Sequence, residues 1–413
     1  MGKYNNYVKT DIPWIGEIPS HWQVMSFKRR MTIKNGADYK DVASDEGYPV
    51  IGSGGQFAFS EKYMYDGEVV LLGRKGTIDR PLYFHGAFWA VDTMFYAVPS
   101  KETICRYMYY QALTFPYSFY ATATALPSMT QADLGNNKVC VPPKDEQIAI
   151  STYLDEKCSI IDKIIAKQEK RKKLLQELRQ SIITKAVTKG INPDSVLKDS
   201  GIEWIGEIPK HWDLKRIKHI ASIHGRVGYK GYTTADLVSE GDGAYTIGGK
   251  HISRNILDLS EPEYINWDKY YESPEIMVHK GDIITAQRGT LGRTALVKED
   301  IGPATINPSL VLINGIKINN EYLYWWMVSD SVLSEIALLN TSTAVPMISQ
   351  FQIANIRIPV PPQKEQEQIC CFIRKEIKQV DKSIEKTEHQ IKLLREYKQS
   401  LITEVVTGKR KVC

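Results

Sequence analysis

The chain has 413 residues, of which 43% are hydrophobic and 24% charged, and its formal net charge is +5. This length allows two or three domains with a large core, and the composition excludes wholesale disorder. The mild positive charge permits nucleic-acid binding through local patches without requiring it. The sequence contains no apolar run of about 18 residues, and its first residues, M-G-K-Y-N-N, lack the apolar region of a secretion signal. We therefore expect a cytoplasmic protein that is neither secreted nor membrane-spanning.

The first of several internal repeats involves tryptophan. Residues 14–22 read W-I-G-E-I-P-S-H-W and residues 204–212 read W-I-G-E-I-P-K-H-W, so that eight of nine positions are identical at an offset of 190. Two Trp and two Ile around a Gly and a Pro suit a buried turn that anchors the start of a domain. His21 and His211 belong to this motif, and we expect them to be packed rather than catalytic.

Two further repeats follow within each half. Residues 67–80 and 281–293 both show an apolar strand that leads into a Gly-Thr turn flanked by Arg, at an offset of 214 that drops to 213 after Lys75. Residues 122–131 match residues 341–350 at an offset of 219. The second half has therefore gained residues before each of these repeats.

The segments around these repeats predict globular α+β domains. Short strand-like runs occur at 49–51, 244–247 and 309–313, and short amphipathic helices are expected near 103–113 and 320–338. Segments 23–66 and 213–280 do not align with each other. We read the two domains as divergent heads.

A long helical run follows each head. Residues 141–147 read V-P-P-K-D-E-Q and residues 360–366 read V-P-P-Q-K-E-Q, and the runs extend without Gly or Pro to about residues 188 and 407. Apolar residues alternate at spacings of four and three, which is a heptad seam with polar interruptions. The predicted seam consists of Leu154, Ile161, Ile165, Gln168, Leu175, Ile182, Ile373, Ile377, Val380, Ile384, Thr387, Ile391, Leu394 and Leu401. Such a seam needs a partner, and the other copy is the obvious one.

The linker favours an antiparallel helix pair. A run of about 44 residues is roughly 66 Å long, whereas the linker 189–200 spans at most about 40 Å. A parallel pair would require the chain to travel back along the whole helix, so we expect the heads at opposite ends, related by an approximate two-fold axis. Gln168 and Thr387 occupy equivalent seam positions, and they are expected either to meet at this axis and fix the register or to be two tolerated polar residues.

The six cysteines, Cys105, Cys140, Cys158, Cys370, Cys371 and Cys413, contain no C-x-x-C pair. This favours buried or unreactive thiols over a metal site or a disulfide framework.

No catalytic constellation is visible. The sequence lacks an N/D-P-P-Y/F tetrapeptide and a G-x-G-x-x-G after a strand, and the run 243–250 that ends in Lys250 has the wrong spacing for a phosphate-binding loop. What remains is binding. Arg, Lys, Thr and Gln suit phosphate, guanine and adenine contacts, although ordinary turn chemistry is the alternative. The DNA-contact candidates are Arg74, Lys75, Thr77, Arg80, Thr122, Thr124, Gln131, Lys250, Arg288, Thr290, Arg293, Thr341, Thr343 and Gln350.

Together these motifs resemble a known family. The W-I-G-E-I-P-x-H-W motif, the I-P-V-P-P-x-x-E-Q run at 358–366, the linker 198–209 and the K-Q-S-L-I-T-E-V-V-T-G-K segment at 398–409 are similar to the specificity (S) subunit of type I restriction-modification systems. The resemblance covers essentially the whole chain. Each motif is weak alone, and their combination is specific.

The resemblance implies a function. Each head would be a target-recognition domain that reads one half of a split, asymmetric site on double-stranded DNA. The helices would act as a ruler and dock two methyltransferase (M) subunits, and restriction (R) subunits would join them. S-adenosylmethionine and ATP would be bound by these partners, so the chain itself would bind no cofactor and no metal and would not be an enzyme.

The implied architecture is two globular α+β target-recognition domains, each followed by a long helix, with the two helices pairing as an antiparallel coiled coil with pseudo-two-fold symmetry. The boundaries are 1–143 for the first recognition domain, 144–188 for the first helix, 189–200 for the linker, 201–362 for the second domain, 363–407 for the second helix and 408–413 for the tail.

Three rival functions remain. A stand-alone DNA-binding regulator would bind its site tightly without partners. A coiled-coil scaffold whose heads bind proteins would show no salt-dependent DNA affinity. A self-sufficient methyltransferase is disfavoured because its motifs are missing.

Overall fold

The computed structural model describes residues 2–120, 127–226, 228, 231–340 and 345–412. The chain forms two compact units: unit 1 contains residues 1–170 and 388–413, and unit 2 contains residues 171–387. Each long helix therefore begins in one unit and ends in the other. Within the described ranges, no helix combines the length and the apolar composition needed to cross a lipid bilayer.

The first head consists of short strands and short helices that precede the first long helix. The strands are β1 (Tyr7–Lys9), β2 (Glu17–Pro19), β3 (Gln23–Ser26), β4 (Met31–Asn35), β5 (Ala43–Ser44), β6 (Tyr48–Gly52), β7 (Gly55–Ser60), β8 (Tyr65–Gly73), β9 (Leu82–Ala90), β10 (Met94–Pro99) and β11 (Lys138–Val141). The helices are α1 (Cys105–Ala112), α2 (Tyr117–Tyr120), α3 (Gln131–Asn136) and α4 (Lys144–Lys189).

The second head has more and shorter strands. They are β12 (Leu197–Asp199), β13 (Glu207–Pro209), β14 (Asp213–Arg216), β15 (Ser222–Gly225), β16 (Leu237–Val238), β17 (Gly243–Ile247), β18 (Ile252–Ser253), β19 (Ile256–Leu257), β20 (Tyr264–Asn266), β21 (Ile283–Ala286), β22 (Thr294–Leu296), β23 (Ala304–Ile306), β24 (Leu310–Asn314) and β25 (Arg357–Val360). The helices are α5 (Ile217–Ile220), α6 (Trp267–Tyr271), α7 (Asn320–Met327), α8 (Asp330–Leu339), α9 (Gln350–Asn355) and α10 (Gln363–Val406). The strands expected at 49–51, 244–247 and 309–313 and the helix expected near 103–113 are confirmed, whereas the helical run expected near 320–338 is divided into α7 and α8 at residues 328–329.

The two heads share one strand order. The largest sheet of unit 1 has seven strands in the order β4-β10-β8-β9-β6-β7-β5, and unit 2 has two four-stranded sheets with the orders β15-β24-β21-β22 and β16-β20-β17-β23. In unit 1, strand β9 pairs antiparallel with β8 and, at its end, parallel with β6. In unit 2, β22 pairs with β21 and the separate strand β23 pairs in parallel with β17. The interruption of one long strand therefore splits the sheet of unit 2.

The long helices pack antiparallel in each unit, as predicted. In unit 1, Lys398 contacts Asp162 at 2.6 Å and Arg395 contacts Glu169 at 3.0 Å, so residue numbers fall along α10 as they rise along α4. In unit 2, Arg179 on α4 lies 2.8 Å from Asp381 on α10, and Gly190 just past α4 lies beside Glu365 in the first turn of α10. The helices measure 46 and 44 residues.

The seam of α10 is buried more completely than that of α4. The buried seam residues are Leu154, Ile161, Ile373, Ile377, Val380, Ile384, Thr387, Ile391 and Leu401, and the half-buried ones are Ile165, Gln168, Leu175, Ile182 and Leu394. Near the end of α4 the buried face moves by one position, because Ile183 is fully buried in place of Ile182. A helix with 3.6 residues per turn drifts relative to a strict heptad, which accounts for this shift.

The polar seam residues Gln168 and Thr387 belong to different units. Gln168 Oε1 is buried without a hydrogen-bond partner among the described residues, and the Thr387 hydroxyl donates to the Ser383 carbonyl at 2.8 Å. Their predicted pairing stays a prediction.

The tryptophan motif of unit 1 joins the start of α4 to the end of α10. Glu146, in the first turn of α4, accepts hydrogen bonds from His21 Nε2 at 2.7 Å, Trp22 Nε1 at 3.1 Å and Tyr4 Oη at 3.0 Å. Gly408 ends α10 with φ of +73°, and a Cβ there would lie 2.3 Å from Pro19 of the same motif. A glycine in this left-handed conformation is a common helix terminator.

Unit 2 repeats this arrangement. His211 Nε2 lies 2.8 Å from Glu365 Oε2 in the first turn of α10, and Gly190, with φ of +74°, packs against Trp212. The structural interpretation of the motif is confirmed, with two corrections. Trp14 is 46% exposed, and the imidazoles of His21 and His211 lie at the surface rather than in the core, because each is hydrogen-bonded to a half-buried glutamate in the first turn of a long helix.

Two buried tyrosines reinforce these junctions. Tyr107 Oη donates to the Cys140 carbonyl at 2.9 Å and lies 3.4 Å from that of Val406 at the end of α10. At the equivalent place in unit 2, Tyr322 Oη lies 2.8 Å from the Pro359 carbonyl and 3.3 Å from that of Val187. Burial raises the pKa of both phenols well above the ordinary value, so each stays a neutral donor.

We predict that Glu146→Ala destabilises unit 1 by about 2 kcal/mol, because three donors lose a charged acceptor. Asp145→Ala is the matched control: Asp145 is exposed in the same helical turn and should contribute less than about 1 kcal/mol through the helix dipole. Thermal unfolding should show a fall of roughly 4–8 °C for Glu146→Ala. Equal shifts for the two variants would contradict the proposed role of Glu146.

Candidate nucleic-acid interface

The structure brings the Gly turn of unit 1 next to the Pro-containing repeat. Gly76, at φ of +81°, donates its amide to the Pro127 carbonyl at 2.9 Å. Lys75 forms an isolated β-bridge with Ser128, and the Met129 amide donates to the Arg74 carbonyl at 3.0 Å. Two repeats that are far apart in the sequence therefore form one local structure.

Unit 2 contains the same structure. The Gly289 amide donates to the Pro346 carbonyl at 2.9 Å, Arg288 bridges to Met347, and the Ile348 amide donates to the Gln287 carbonyl at 2.9 Å. The recurrence of every contact defines which residues are equivalent in the two units.

These contacts correct the sequence alignment. Lys75 is equivalent to Arg288, and Arg74 is equivalent to Gln287, whereas the sequence paired Arg74 with Arg288. The strand registers support the same equivalence. Gly73, the last residue of β8, pairs with Met94, the first residue of β10, just as Ala286, the last residue of β21, pairs with Leu310, the first residue of β24. The offset is therefore 213 from the end of the strand through the turn. Apolar strand residues are interchangeable, so sequence matching misplaced the gap by several positions.

Two more loops border each turn. The amides of Arg74 and Lys75 both donate hydrogen bonds to the Thr93 carbonyl, and the Val91 amide donates to the Ile51 carbonyl near the end of β6. In unit 2, the amides of Gln287 and Arg288 both donate to the Ser309 carbonyl, and the Asn307 amide donates to the Ile247 carbonyl at the end of β17. We call this set of loops the loop edge. It comprises residues 52–55, 74–77, 91–93 and 127–131 in unit 1 and residues 248–251, 287–290, 307–309 and 346–350 in unit 2.

Most of the candidate side chains at or beside the loop edge are exposed. The exposed ones are Lys75, Thr77, Arg80, Gln131, Lys250, Arg288, Thr290 and Arg293, whereas Gln350 is half-buried. Thr122, Thr124, Thr341 and Thr343 lie outside the described residues. Arg80 and Arg293 follow their turns at equivalent positions, so each unit presents two exposed cations, one in the turn and one three to five residues after it.

Three candidates, Arg74, Lys250 and Gln131, have structural partners. The Arg74 guanidinium is half-buried, donates to the Asp92 carbonyl at 3.3 Å and lies 5.8 Å from the Phe95 ring centroid. Its equivalent, Gln287, is buried and donates to the Pro308 carbonyl at 3.0 Å. Lys250 is ion-paired with Glu263 at 2.9 Å, and this hydrogen bond raises the pKa of Lys250.

Two residues beside the loop edge, Asn35 and Arg226, were not singled out by the sequence. Gln131 Nε2 donates to Asn35 Oδ1 at 3.0 Å, whereas the equivalent Gln350 packs on Gly225, where a Cβ would lie 2.5 Å from Gln350 Nε2. Arg226 is buried, donates to Thr305 Oγ1 at 3.0 Å and to the Ile306 carbonyl at 3.2 Å, and burial lowers its pKa. The available signal was a basic residue between glycines in H-G-R-V-G-Y-K-G.

A protein-family comparison identifies the fold and the family. The model described as "Type I restriction modification DNA specificity domain" matches residues 19–176 and 209–394, which is most of the chain. The chain belongs to this family. It is a type I restriction-modification specificity subunit with two target-recognition domains, and the predicted family, fold class and main function are confirmed.

Curated relatives that match most of the chain are also specificity subunits. The specificity subunit is similar to the type I restriction enzyme MjaVIII specificity subunit of Methanocaldococcus jannaschii, with 23% identity over 87% of this chain and 77% of the relative. It is also similar to the EcoDI specificity subunit of Escherichia coli, with 20% identity over 86% of this chain and 81% of the relative.

One solved structure supports the fold. A chain from a structure described as "Structural basis underlying complex assembly and conformational transition of the type I R-M system" superimposes with a TM-score of 0.69 at 13% identity. The match covers 95% of the specificity subunit and 99% of that chain.

We predict that Arg74→Ala and Lys75→Ala have different effects on this subunit. Arg74→Ala should lower the free energy of unfolding by about 1 kcal/mol, because it removes a loop hydrogen bond and an aromatic contact. Lys75→Ala should change it by less than about 0.5 kcal/mol, because the side chain is exposed. Denaturant unfolding of both variants distinguishes the two roles, and an equal loss of stability would refute the assignment of Arg74 as structural.

Proposed function

We propose that each loop edge contacts one half of a bipartite, asymmetric DNA site. The observation that carries this proposal is the recurrence of one loop structure with exposed cations at equivalent positions on two heads whose sequences differ at most other positions. A shared backbone with different neighbouring side chains suits two readers of different half-sites. Recognition helices of DNA-binding dimers address half-sites about one helical turn, roughly 34 Å, apart, and we expect similar spacing here.

The exposed side chains have complementary roles in this proposal. Lys75, Arg80, Arg288 and Arg293 contact phosphate or guanine. The arginine guanidinium binds either group through two parallel hydrogen bonds, and the Lys75 ammonium binds as a compact point charge. Thr77 and Thr290 donate to phosphate oxygens, and Gln131 and Gln350 contact bases. Thr122, Thr124, Thr341 and Thr343 remain proposed contacts. Arg74 supports the turn, and Lys250 contacts DNA only when it leaves Glu263.

The long helices dock the partner subunits in this proposal. Leu393 and Tyr397 of α10 are about half exposed in unit 1, and the equivalent Leu174 and Leu178 of α4 are about half exposed in unit 2. Residues four apart lie on one helix face, so each unit presents an apolar pair at the same position of the repeat. Two equivalent surfaces suit two methyltransferase subunits, and restriction subunits join that complex. S-adenosylmethionine and ATP bind to those partners, and the specificity subunit itself performs no catalysis.

A salt titration tests this proposal. Removing two phosphate contacts with Lys75→Gln and Arg80→Gln should reduce the slope of log affinity against log salt by about 1.8, since each contact contributes about 0.9. Lys101→Gln is the control: it is an exposed lysine at the opposite end of β10 from the loop edge, roughly 20 Å away. The measurement uses the subunit with and without its methyltransferase partner on duplex DNA.

The same titration separates the alternatives. Tight, site-specific binding without any methyltransferase would favour the stand-alone regulator. Affinity that does not change with salt would favour a protein-binding scaffold. An unchanged slope in the double variant would contradict the assignment of the loop edge.

A further inference from the structure

In each head a short helix, α1 in unit 1 and α7 in unit 2, packs on the long helix that follows the head through one ion pair. In unit 1, Arg106 of α1 donates from Nε to Asp155 Oδ1 of α4 at 2.7 Å, and Tyr110 Oη of α1 donates to the same oxygen at 2.6 Å. The Arg106 guanidinium also lies 4.6 Å from the Tyr83 ring centroid. In unit 1 the head therefore supplies the donors and the long helix supplies the carboxylate.

Unit 2 has the ion pair at the equivalent place with its polarity reversed. Arg374 of α10 donates to Glu321 Oε2 of α7 at 2.5 Å, and Trp325 Nε1 of α7 donates to Glu321 Oε1 at 3.3 Å. Here the head supplies the carboxylate and the long helix supplies the cation.

The equivalence of these positions is fixed by the repeat. Tyr107 and Tyr322 make equivalent hydrogen bonds to the ends of the long helices, and they are 215 residues apart. The same offset of 215 relates Arg106 to Glu321 and Tyr110 to Trp325. Asp155 and Arg374 are separated by the offset of 219 that holds throughout the long helices. By contrast, the ion pair between the helices keeps its polarity, with Asp162 facing Lys398 in unit 1 and Asp381 facing Arg179 in unit 2.

We propose that the reversed ion pair restricts each head to its own long helix. The first head on α10 would place Arg106 against Arg374 in place of its natural partner, the Asp155 carboxylate. The second head on α4 would place Glu321 against Asp155 with only the Trp325 N–H as donor. Like charges in contact are destabilising, and the head-side groups are the less exposed members, with 32% exposure for Arg106 and 21% for Glu321.

The consequence is that the two recognition domains are not interchangeable between positions. This selectivity is a property of packing within each unit and does not depend on DNA binding. A head moved to the other position would need its charge at this site reversed.

A charge-exchange series in the full chain tests this inference. Asp155→Arg with Arg374→Asp leaves the net charge unchanged but gives each helix the charge of the other, and we expect the melting temperature to fall by about 3–6 °C. Adding Arg106→Glu and Glu321→Arg should restore at least half of this loss. The control, Arg179→Lys with Lys398→Arg, exchanges the cations of the non-reversed pairs and should change the melting temperature by less than about 1 °C.

A chain with the first head in both positions gives the sharpest result. Residues 11–143 replace residues 201–362, which preserves the tryptophan motif that contacts Glu365. Arg374→Asp should lower the melting temperature of the natural chain and raise that of the double-head chain. The same sign in both chains, or no recovery in the four-substitution variant, would overturn the proposal, and that variant suffices if the double-head chain does not fold.

Discussion

The structure depends on two carboxylates, Glu146 and Glu365, that lie in the first turns of the long helices. Each accepts a hydrogen bond from the histidine of a tryptophan motif, and within the same unit that motif also packs against the glycine that ends the other long helix. The start of one helix, the end of the other and the first turn of a head are thus held together. Because this junction recurs in both units, it explains why nine residues of the motif are nearly identical while the heads around them differ.

Fixed junctions leave the loop edges free to vary. The turns 74–77 and 287–290 keep their backbone contacts to the Pro-containing segments, but their neighbours differ in kind. Asn35 bonds Gln131 in unit 1, whereas a glycine accommodates Gln350 in unit 2. The single strand β9 of unit 1 corresponds to two separate strands, β22 and β23, in unit 2, so the sheet that carries the loops differs between the units. Side chains can therefore change at these edges without disturbing the helix seam.

Periodicity and repeats predicted the parts of the fold that depend on local sequence. The long helices, their antiparallel direction and the short strands and helices follow from heptad spacing, linker length and apolar runs. The repeats also located the Gly turns and the Pro-containing segments. That these two repeats would form one site was not predictable, because their contact is made by backbone hydrogen bonds between segments about fifty residues apart.

Other differences arose where several residues satisfy one pattern. The heptad spacing predicted Ile182 in the seam, whereas Ile183 is the buried residue. A heptad count does not distinguish two adjacent isoleucines. Arg74 was aligned with Arg288 because both are arginine beside glycine, whereas strand register pairs Arg74 with the buried Gln287. The repeat predicts the same burial for Trp14 and Trp22, because both are tryptophans of one motif, but only Trp22 is buried.

The central claim is that two separable heads each read one half of a DNA site. The most direct measurement is a genome-wide map of adenine methylation in cells that express the subunit with its methyltransferase partner, before and after residues 201–362 are replaced by the corresponding head of another family member. We expect a bipartite motif in which one half changes and the other is retained. A change in both halves, or methylation that does not depend on this subunit, would contradict it.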